Sequence, residues 1–245
     1  MNNVKKNAQE NSKFLQLKSF KLKQLIKEFL PPILIKIYHK INYTQAIDNS
    51  YFQQGKEQDA NYYDRMFLDN DLWNKHYTES IYYPLWTILA DRIIRGKKVF
   101  SLLDIGCGSG QLAHLLYDRG ITRYVGFDFS QERINYAQKL CPEFNFLLSD
   151  AFKTNIYSTY DYDTVVCTEF LEHVENDCEI IRKIPSGTHF YGTVPNFGCA
   201  AHVRFFNSLE EVKKRYEMYF HSFSVDVHLA NKDGTKFFIL EGIKK

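Results

Sequence analysis

Three observations predict an α/β chain built on a doubly wound, mostly parallel sheet, with an antiparallel last strand and an N-terminal helical extension. From residue 97 onward, short apolar runs alternate with segments of helical period; a glycine-rich turn, "DIGCGSG", follows the first such run; and an Asp-Gly turn near the C-terminus joins two runs of strand length.

Residues 99–105 form a continuous apolar run of strand length, and residues 111–118 carry helical spacing that ends before Gly120, a residue suited to the position just past a helix. A second strand over 124–127 leads into Asp128, and Ser130 is placed to cap a helix over 132–140. Strands follow at 144–148, 164–167 and 189–194, with a short helix over 177–183 between the last two. The tail reads as a helix over 209–219 and strands over 223–229 and 236–243; the Asn231 to Gly234 turn between those strands predicts a hairpin. Ligands of such sheets sit at the carboxyl ends of the strands.

Two segments precede this domain. Residues 1–41 hold nine lysines against two glutamates within the first 40 positions, a charge of +7 that leaves −5 for the rest of a chain whose total is +2. Beyond a polar start, Phe14, Leu17, Leu22, Leu25, Ile26, Phe29 and Leu30 recur at helical intervals up to Pro31-Pro32, and Ile33, Leu34, Ile37, Tyr38 and Ile41 resume the pattern. Such a basic amphipathic stretch, residues 14–41, rests on an anionic membrane surface or packs on protein, its own domain or a second copy in a homodimer. Residues 42–95 are tyrosine-rich and helical in pattern, with Pro84 expected in the first turn of a helix over 85–94; they read as a cap able to close over a ligand, Tyr77 and Tyr83 included. Residues 96–245 form the sheet domain.

The remainder excludes several classes. A slightly acidic body gives little support for nucleic-acid binding by the whole domain, and no nucleic-acid partner is expected. The five scattered cysteines lack any C-x-x-C pair, which favours a reducing, cytoplasmic setting over a disulfide framework. No apolar run reaches membrane-spanning length, and no compact apolar stretch ending in small residues marks a signal peptide.

The glycine turn discriminates between nucleotides. A dinucleotide site needs G-x-G-x-x-G or A, yet position 111 is Gln; the glycines stand at 106, 108 and 110, with Asp104 two residues before the first. This D-x-G-x-G-x-G form resembles the first motif of the class I S-adenosylmethionine-dependent methyltransferases. Three later stations match in order: Asp128 in "VGFDFS", Asp150-Ala151 in "LLSDAF", and "EFLEHV" from Glu169. The resemblance covers about residues 60–245 and implies a Rossmann-like fold that binds S-adenosylmethionine. It implies that Asp104 holds the amino-acid end, that Gly106 and Gly108 admit the ligand, that Asp128 accepts the ribose hydroxyls, and that Asp150 and Ala151 border the adenine. Cys107, Gln111, Phe129 and Glu169 complete the implied cofactor set, Cys107 as a small filler rather than a nucleophile.

For an alcohol acceptor, His173 is the candidate base or orienting group, with His202 beside it; a plain helix-start role is the alternative. In "TVPNFGCAAHVRFFN", Asn196 is expected to border the acceptor, and Arg204 either to clamp an acceptor phosphate or carboxylate or to pair with an acidic neighbour. Glu169, Glu172 and His173, on one helical face, would with His202 make an O,O,N,N donor set of the kind seen in metal-dependent RNA 2′-O-methyltransferases. The chain lacks the basic body of such enzymes, and no metal is expected.

The N-terminal segment and "YYPLW" resemble methyltransferases of bacterial surface-polysaccharide biosynthesis. That implies O-methylation of a small polar acceptor: a sugar, a sugar phosphate or a phosphoramidate group of a glycan precursor, met in the cytoplasm or at the inner membrane face. A quinone or lipid methyltransferase and a non-catalytic cofactor-binding partner are the alternatives.

Overall fold

The computed structural model describes residues 55–96 and 101–245. The basic segment at 14–41, and with it the membrane and dimer expectations, lies outside the described residues. Among the described residues, no helix is long and apolar enough to cross a membrane.

Seven strands form one sheet in the order β3-β2-β1-β4-β5-β7-β6. They are β1 (Leu102–Ile105), β2 (Tyr124–Asp128), β3 (Asn145–Leu148), β4 (Thr164–Thr168), β5 (His189–Pro195), β6 (Phe220–Leu229) and β7 (Lys236–Lys244). The first five are parallel, and β7 runs antiparallel to both of its neighbours. The sheet is therefore doubly wound, as the alternating pattern predicts, and the strand order reverses between β1 and β4.

Helices cover both faces. On one side lie α2 (Tyr83–Gly96), α3 (Gln111–Asp118) and α4 (Gln131–Leu140); on the other lie α5 (Ile156–Thr159), α6 (Asp177–Lys183) and α7 (Leu209–Tyr216). An earlier helix, α1 (Ala60–Asp69), packs along α4. Burial follows strand alternation: Leu102 joins the first core, while Leu103 and Ile105 join the second. Asp104 is the only polar side chain in β1, and it is buried, 1% exposed, on the Leu102 side.

Departures from expectation have local causes. Helix α2 starts at Tyr83, two residues before the expected 85, and Pro84 stands in its first turn as expected, where its missing N–H costs nothing. The helix expected over 209–219 leaves α geometry after Tyr216 and finishes as a 3₁₀ turn, Glu217–Tyr219. Strand β6 starts three residues before the expected 223, with a register shift between Phe220 and Ser222 that lets the aromatic Phe220 stay buried against Phe190. Helix α5 is one turn long and carries no readable period. The segment after β4 is a single 3₁₀ turn, Leu171–His173, preceded by Glu169 at φ 50°, so Glu169, Glu172 and His173 do not share an α-helical face.

Candidate active site

At the strand-order reversal, two loops face each other: the glycine turn after β1 and the Glu169–His173 stretch after β4. Gly106, Gly108 and Gly110 all have positive φ, 73°, 55° and 80°. A Cβ on Gly106 would lie 2.4 Å from the Phe170 ring, and one on Gly110 would lie 2.9 Å from Ala137 Cβ. The three bare positions thus let the backbone of the turn approach the cleft closely.

Two adjoining cavities fill the space between these loops. The first is bordered by Gly106, Asp128, Phe129, Asp150, Ala151 and Phe152. The second is bordered by Asp104, Gly106, Cys107, Gly108 and Gln111, and by an aromatic wall of Tyr62, Trp73, Tyr82, Trp86 and Phe197. Tyr63, Arg133, Glu169 and His173 border both.

The ten cofactor residues named by the resemblance therefore lie together around one continuous cleft. Asp128 receives Gly108 N–H at 3.1 Å and Ser130 N–H at 2.9 Å, which pins its carboxylate at the mouth of the first cavity and leaves further lone pairs unused. Asp150 is oriented by Phe152 N–H at 2.8 Å and Lys153 Nζ at 2.8 Å. Burial pushes the Asp104 carboxyl up to about 7, against the pull of Tyr124. Its Oδ1 is buried and has no hydrogen-bond partner among the described residues. An orphaned carboxylate oxygen beside a glycine cradle fits an ammonium-bearing ligand end, and two carboxylates follow at the first cavity; the residues present fit S-adenosylmethionine.

On the other side of the cleft stand the histidines. His173 Nδ1 lies 3.0 Å from Ala201 O and 3.0 Å from Tyr63 Oη, and His202 Nδ1 lies 2.9 Å from Phe197 O. Their rings meet edge to face, with centroids 4.7 Å apart. Burial first, and His202 second, lower His173 to about 3, so its imidazole is neutral. Glu172 is fully buried, and burial, then Glu169, hold its carboxyl well above the usual range. Thr193 Oγ1 donates to Glu169 Oε1 at 2.9 Å, which fixes that side chain despite its left-handed backbone.

Four acceptor-side expectations need correction. Arg204 turns away from the cleft: its guanidinium donates to the carbonyls of Leu171, Val174 and Glu175 and lies 3.3 Å from Asp177, because the 3₁₀ turn ends in carbonyls that nothing else satisfies. It holds the His173 turn in place instead of clamping an acceptor. Asn196 bridges Lys236 N–H at 2.6 Å and Gly234 O at 3.1 Å, since a carboxamide matches the exposed donor and acceptor of the β6–β7 turn. Tyr77 donates to Asp118 at 2.5 Å, and Tyr83 packs on the core beneath it, so neither reaches the cavities.

Other residues take their place. Arg133, in the first turn of α4, lies over the rings of Tyr63 at 5.0 Å and Trp73 at 5.3 Å. The segment carrying Trp73 is tied to the glycine turn by Ser109 Oγ to Trp73 O at 2.6 Å and Gln111 Nε2 to Lys75 O at 2.7 Å. The aromatic richness of 42–95 is the signal that announces this wall, but periodicity alone cannot say which tyrosines turn inward.

Comparison with known proteins agrees with this geometry. The family described as "Methyltransferase domain" matches residues 97–238. A ubiquinone biosynthesis O-methyltransferase of Pseudomonas fluorescens is 30% identical over 112 residues, 41% of this chain and 46% of that one, so the chain spans about half the length of the curated relative it matches. In fold, the N-methyltransferase NodS of Bradyrhizobium japonicum, solved with S-adenosyl-L-homocysteine, has a TM-score of 0.56 at 13% identity, covering 77% of this chain and all of that one. The [4+2]-cyclase SpnF has a TM-score of 0.57 at 15% identity, covering 78% and 99%. With the family matching more than half of its length and the glycine turn and carboxylates in place, the chain belongs to the methyltransferase domain family.

Proposed function

We propose that this methyltransferase carries S-adenosylmethionine with its adenosine in the first cavity and its amino-acid end at Asp104, and moves the methyl group to a hydroxyl oxygen of an aromatic acceptor. In that step the sulfonium C–S bond breaks with its electron pair going to sulfur, an O–C bond forms, and the acceptor's O–H proton leaves toward the histidines. In-line positioning supplies most of the rate. Asp128 takes the ribose hydroxyls, Phe129, Asp150 and Ala151 border the base, and His173 with His202 face the acceptor oxygen.

One observation carries the choice of oxygen: both imidazoles present neutral, electron-pair-bearing edges to the acceptor side, next to buried Glu172. Such a wall favours an O–H, which offers a proton. The aromatic residues of the second cavity suit a flat ring, and relatives named for ubiquinone biosynthesis support a phenol. The glycan-precursor reading rests on the N-terminal segment and "YYPLW", with Arg204 as the residue that would suit a charged acceptor; Arg204 is engaged elsewhere, so the phenolic reading is favoured.

The test is methyl transfer from labelled S-adenosylmethionine to parallel panels of phenols, sugar phosphates and amines, with Asp128→Ala as control. Product from phenols alone, lost in the control, supports the proposal. Turnover confined to sugars or amines overturns the acceptor, and S-adenosylhomocysteine binding without turnover on any panel favours a non-catalytic role.

A further inference from the structure

Helix α3 carries His114 and Asp118 four residues apart, a spacing that sets both side chains on one face, a turn from each other. Across from them stands His76, the residue that caps the 3₁₀ turn Tyr77–Glu79. The two imidazole rings meet edge to face with centroids 5.2 Å apart. A nitrogen of each and a carboxylate oxygen of Asp118 all lie within 4.8 Å of one another. His114 Nδ1 is buried and has no hydrogen-bond partner among the described residues, a costly state for a polar atom that no ligand satisfies.

The other two side chains are held from behind. Tyr77 Oη donates to Asp118 Oδ2 at 2.5 Å, which orients the carboxylate and leaves Oδ1 outside that bond. His76 Nδ1 lies 2.8 Å from Thr78 Oγ1 and 3.4 Å from Thr78 N. With its proton on Nδ1, His76 donates to the hydroxyl, gives up the longer contact and keeps a lone pair on Nε2.

We propose that His76, His114 and Asp118 form a binding site for a divalent first-row metal ion, zinc above all, with two imidazole nitrogens and one carboxylate oxygen as ligands. Hydrogen bonds behind the ligands, from Tyr77 and to Thr78, are the supports that such sites use. A bond length of ~2.1 Å holds neighbouring donors about 3–3.5 Å apart, so side-chain movements on the order of an ångström close the site. His76 and Asp118 are exposed enough to make them. Mixed nitrogen and oxygen donors suit zinc better than calcium.

None of the three residues borders either cavity, so the ion takes no part in methyl transfer and leaves the cleft imidazoles to their own role. Its effect is mechanical. His76 follows the segment that carries Trp73, and Gln111 Nε2 to Lys75 O at 2.7 Å already ties that segment to the start of α3. An ion shared by His76 and α3 adds a second tie about one turn further along the helix. It holds the aromatic wall against the element that follows the glycine turn, so metal and cofactor each favour binding of the other.

The test uses the full chain, stripped with a chelator and titrated calorimetrically with Zn²⁺, with visible absorption of the Co²⁺ form as a second readout. The expected result is one ion per chain and a thermal midpoint that rises with zinc concentration. Affinity is expected to fall about a hundredfold in His76→Ala and in His114→Ala, and to stay unchanged in His202→Ala, the control for capture by the cleft imidazoles. S-adenosylhomocysteine binding without metal reports that each variant is folded, and His76→Ala, at an exposed position, keeps the test available if His114→Ala is not. Absence of stoichiometric binding, binding retained by folded His76→Ala, or loss in His202→Ala alone overturns the site. S-adenosylhomocysteine is expected to bind severalfold more tightly to the zinc-saturated chain; equal affinity with and without zinc keeps the site and overturns the brace.

Discussion

Tyr124 Oη donates to Asp104 Oδ2 at 2.7 Å and leaves Oδ1 of the same buried carboxylate without a hydrogen-bond partner among the described residues, so one oxygen is engaged by the fold and the other is available to a ligand. The two residues come from neighbouring parallel strands, with Leu102 of β1 opposite Tyr124 of β2, and the tyrosine reaches up the sheet to the next residue on its side of β1.

This division sets a pH dependence. Burial holds the Asp104 carboxyl up to about 7, and a cationic ligand end binds the ionised form. Affinity for S-adenosylhomocysteine is therefore expected to rise with pH up to about 7 and to level off above it. Asp104→Asn should flatten that profile and weaken binding about tenfold to a hundredfold, the ~1.5–3 kcal/mol of a hydrogen bond to a charged group. Titrations at a series of pH values check both. The sign for stability is the reverse: the folded value lies above the unfolded one, so this group's contribution to the unliganded protein is full at low pH and is lost as pH rises through about 7.

Gly106→Ala probes the cradle. A methyl group there meets Phe170 at 2.4 Å in a backbone region that only glycine enters freely. Phe170 borders the first cavity, so relief of the clash moves a ring into the ligand's space. The expected outcome is a loss of cofactor affinity of more than about tenfold with a stability loss of only ~1–3 kcal/mol, read by titration and denaturant melts.

The legible part of this molecule was the part that repeats. The alternation of apolar runs with helical periods predicts the central strands β1, β2, β4 and β5 because parallel strands buried on both faces carry continuous apolar runs, and the Asp-Gly turn predicts the β6–β7 hairpin. The carboxylates at strand ends were readable too, since a strand end at a topological reversal has one place to be. What stayed hidden depends on contacts across long sequence separation. "EFLEHV" reads as a helix by spacing, yet Val203 N–H to Glu172 O at 2.8 Å and the Arg204 guanidinium shape it into a single 3₁₀ turn. Arg204 is ambiguous in the sequence for the same reason: a charged residue in a loop near the cleft suits a ligand clamp or an acidic neighbour equally until the carbonyls it satisfies and Asp177 are seen. Arg133 gives no local sign of its place over two rings.

Asp177 anchors the opposite face. Burial would raise its carboxyl, but Arg215, Tyr216 and Arg204 together hold it below the usual range. Arg215 Nη2 donates to it at 2.6 Å and Tyr216 Oη at 2.6 Å. Its depressed value means that its contribution to stability is present above the unfolded carboxylate pKa of about 4 and is lost as pH falls through the folded value. Asp177→Asn is expected to cost about 3 kcal/mol at neutral pH, because it leaves two guanidinium groups facing a neutral amide, and to shrink the stability lost in acid. Urea melts at neutral and acidic pH test both statements.

Arg204→Lys separates a scaffold role from an acceptor role. The guanidinium reaches three carbonyls at once, of Leu171, Val174 and Glu175, and a lysine ammonium on a flexible stem cannot span that fork. Losing one or two such bonds costs ~1.5–3 kcal/mol each, which for a domain of this size lowers Tm by several degrees, on the order of 3–10 °C. The His173 turn is then held less firmly, so kcat for methyl transfer should fall while KM for the acceptor stays close to its original value. A clamp on an acceptor phosphate or carboxylate would behave otherwise: KM would rise for the charged acceptor and Tm would hardly move. Steady-state kinetics on one charged and one neutral acceptor, with a thermal melt of the same samples, distinguish the two, and a rise in KM at constant Tm would return Arg204 to the acceptor site.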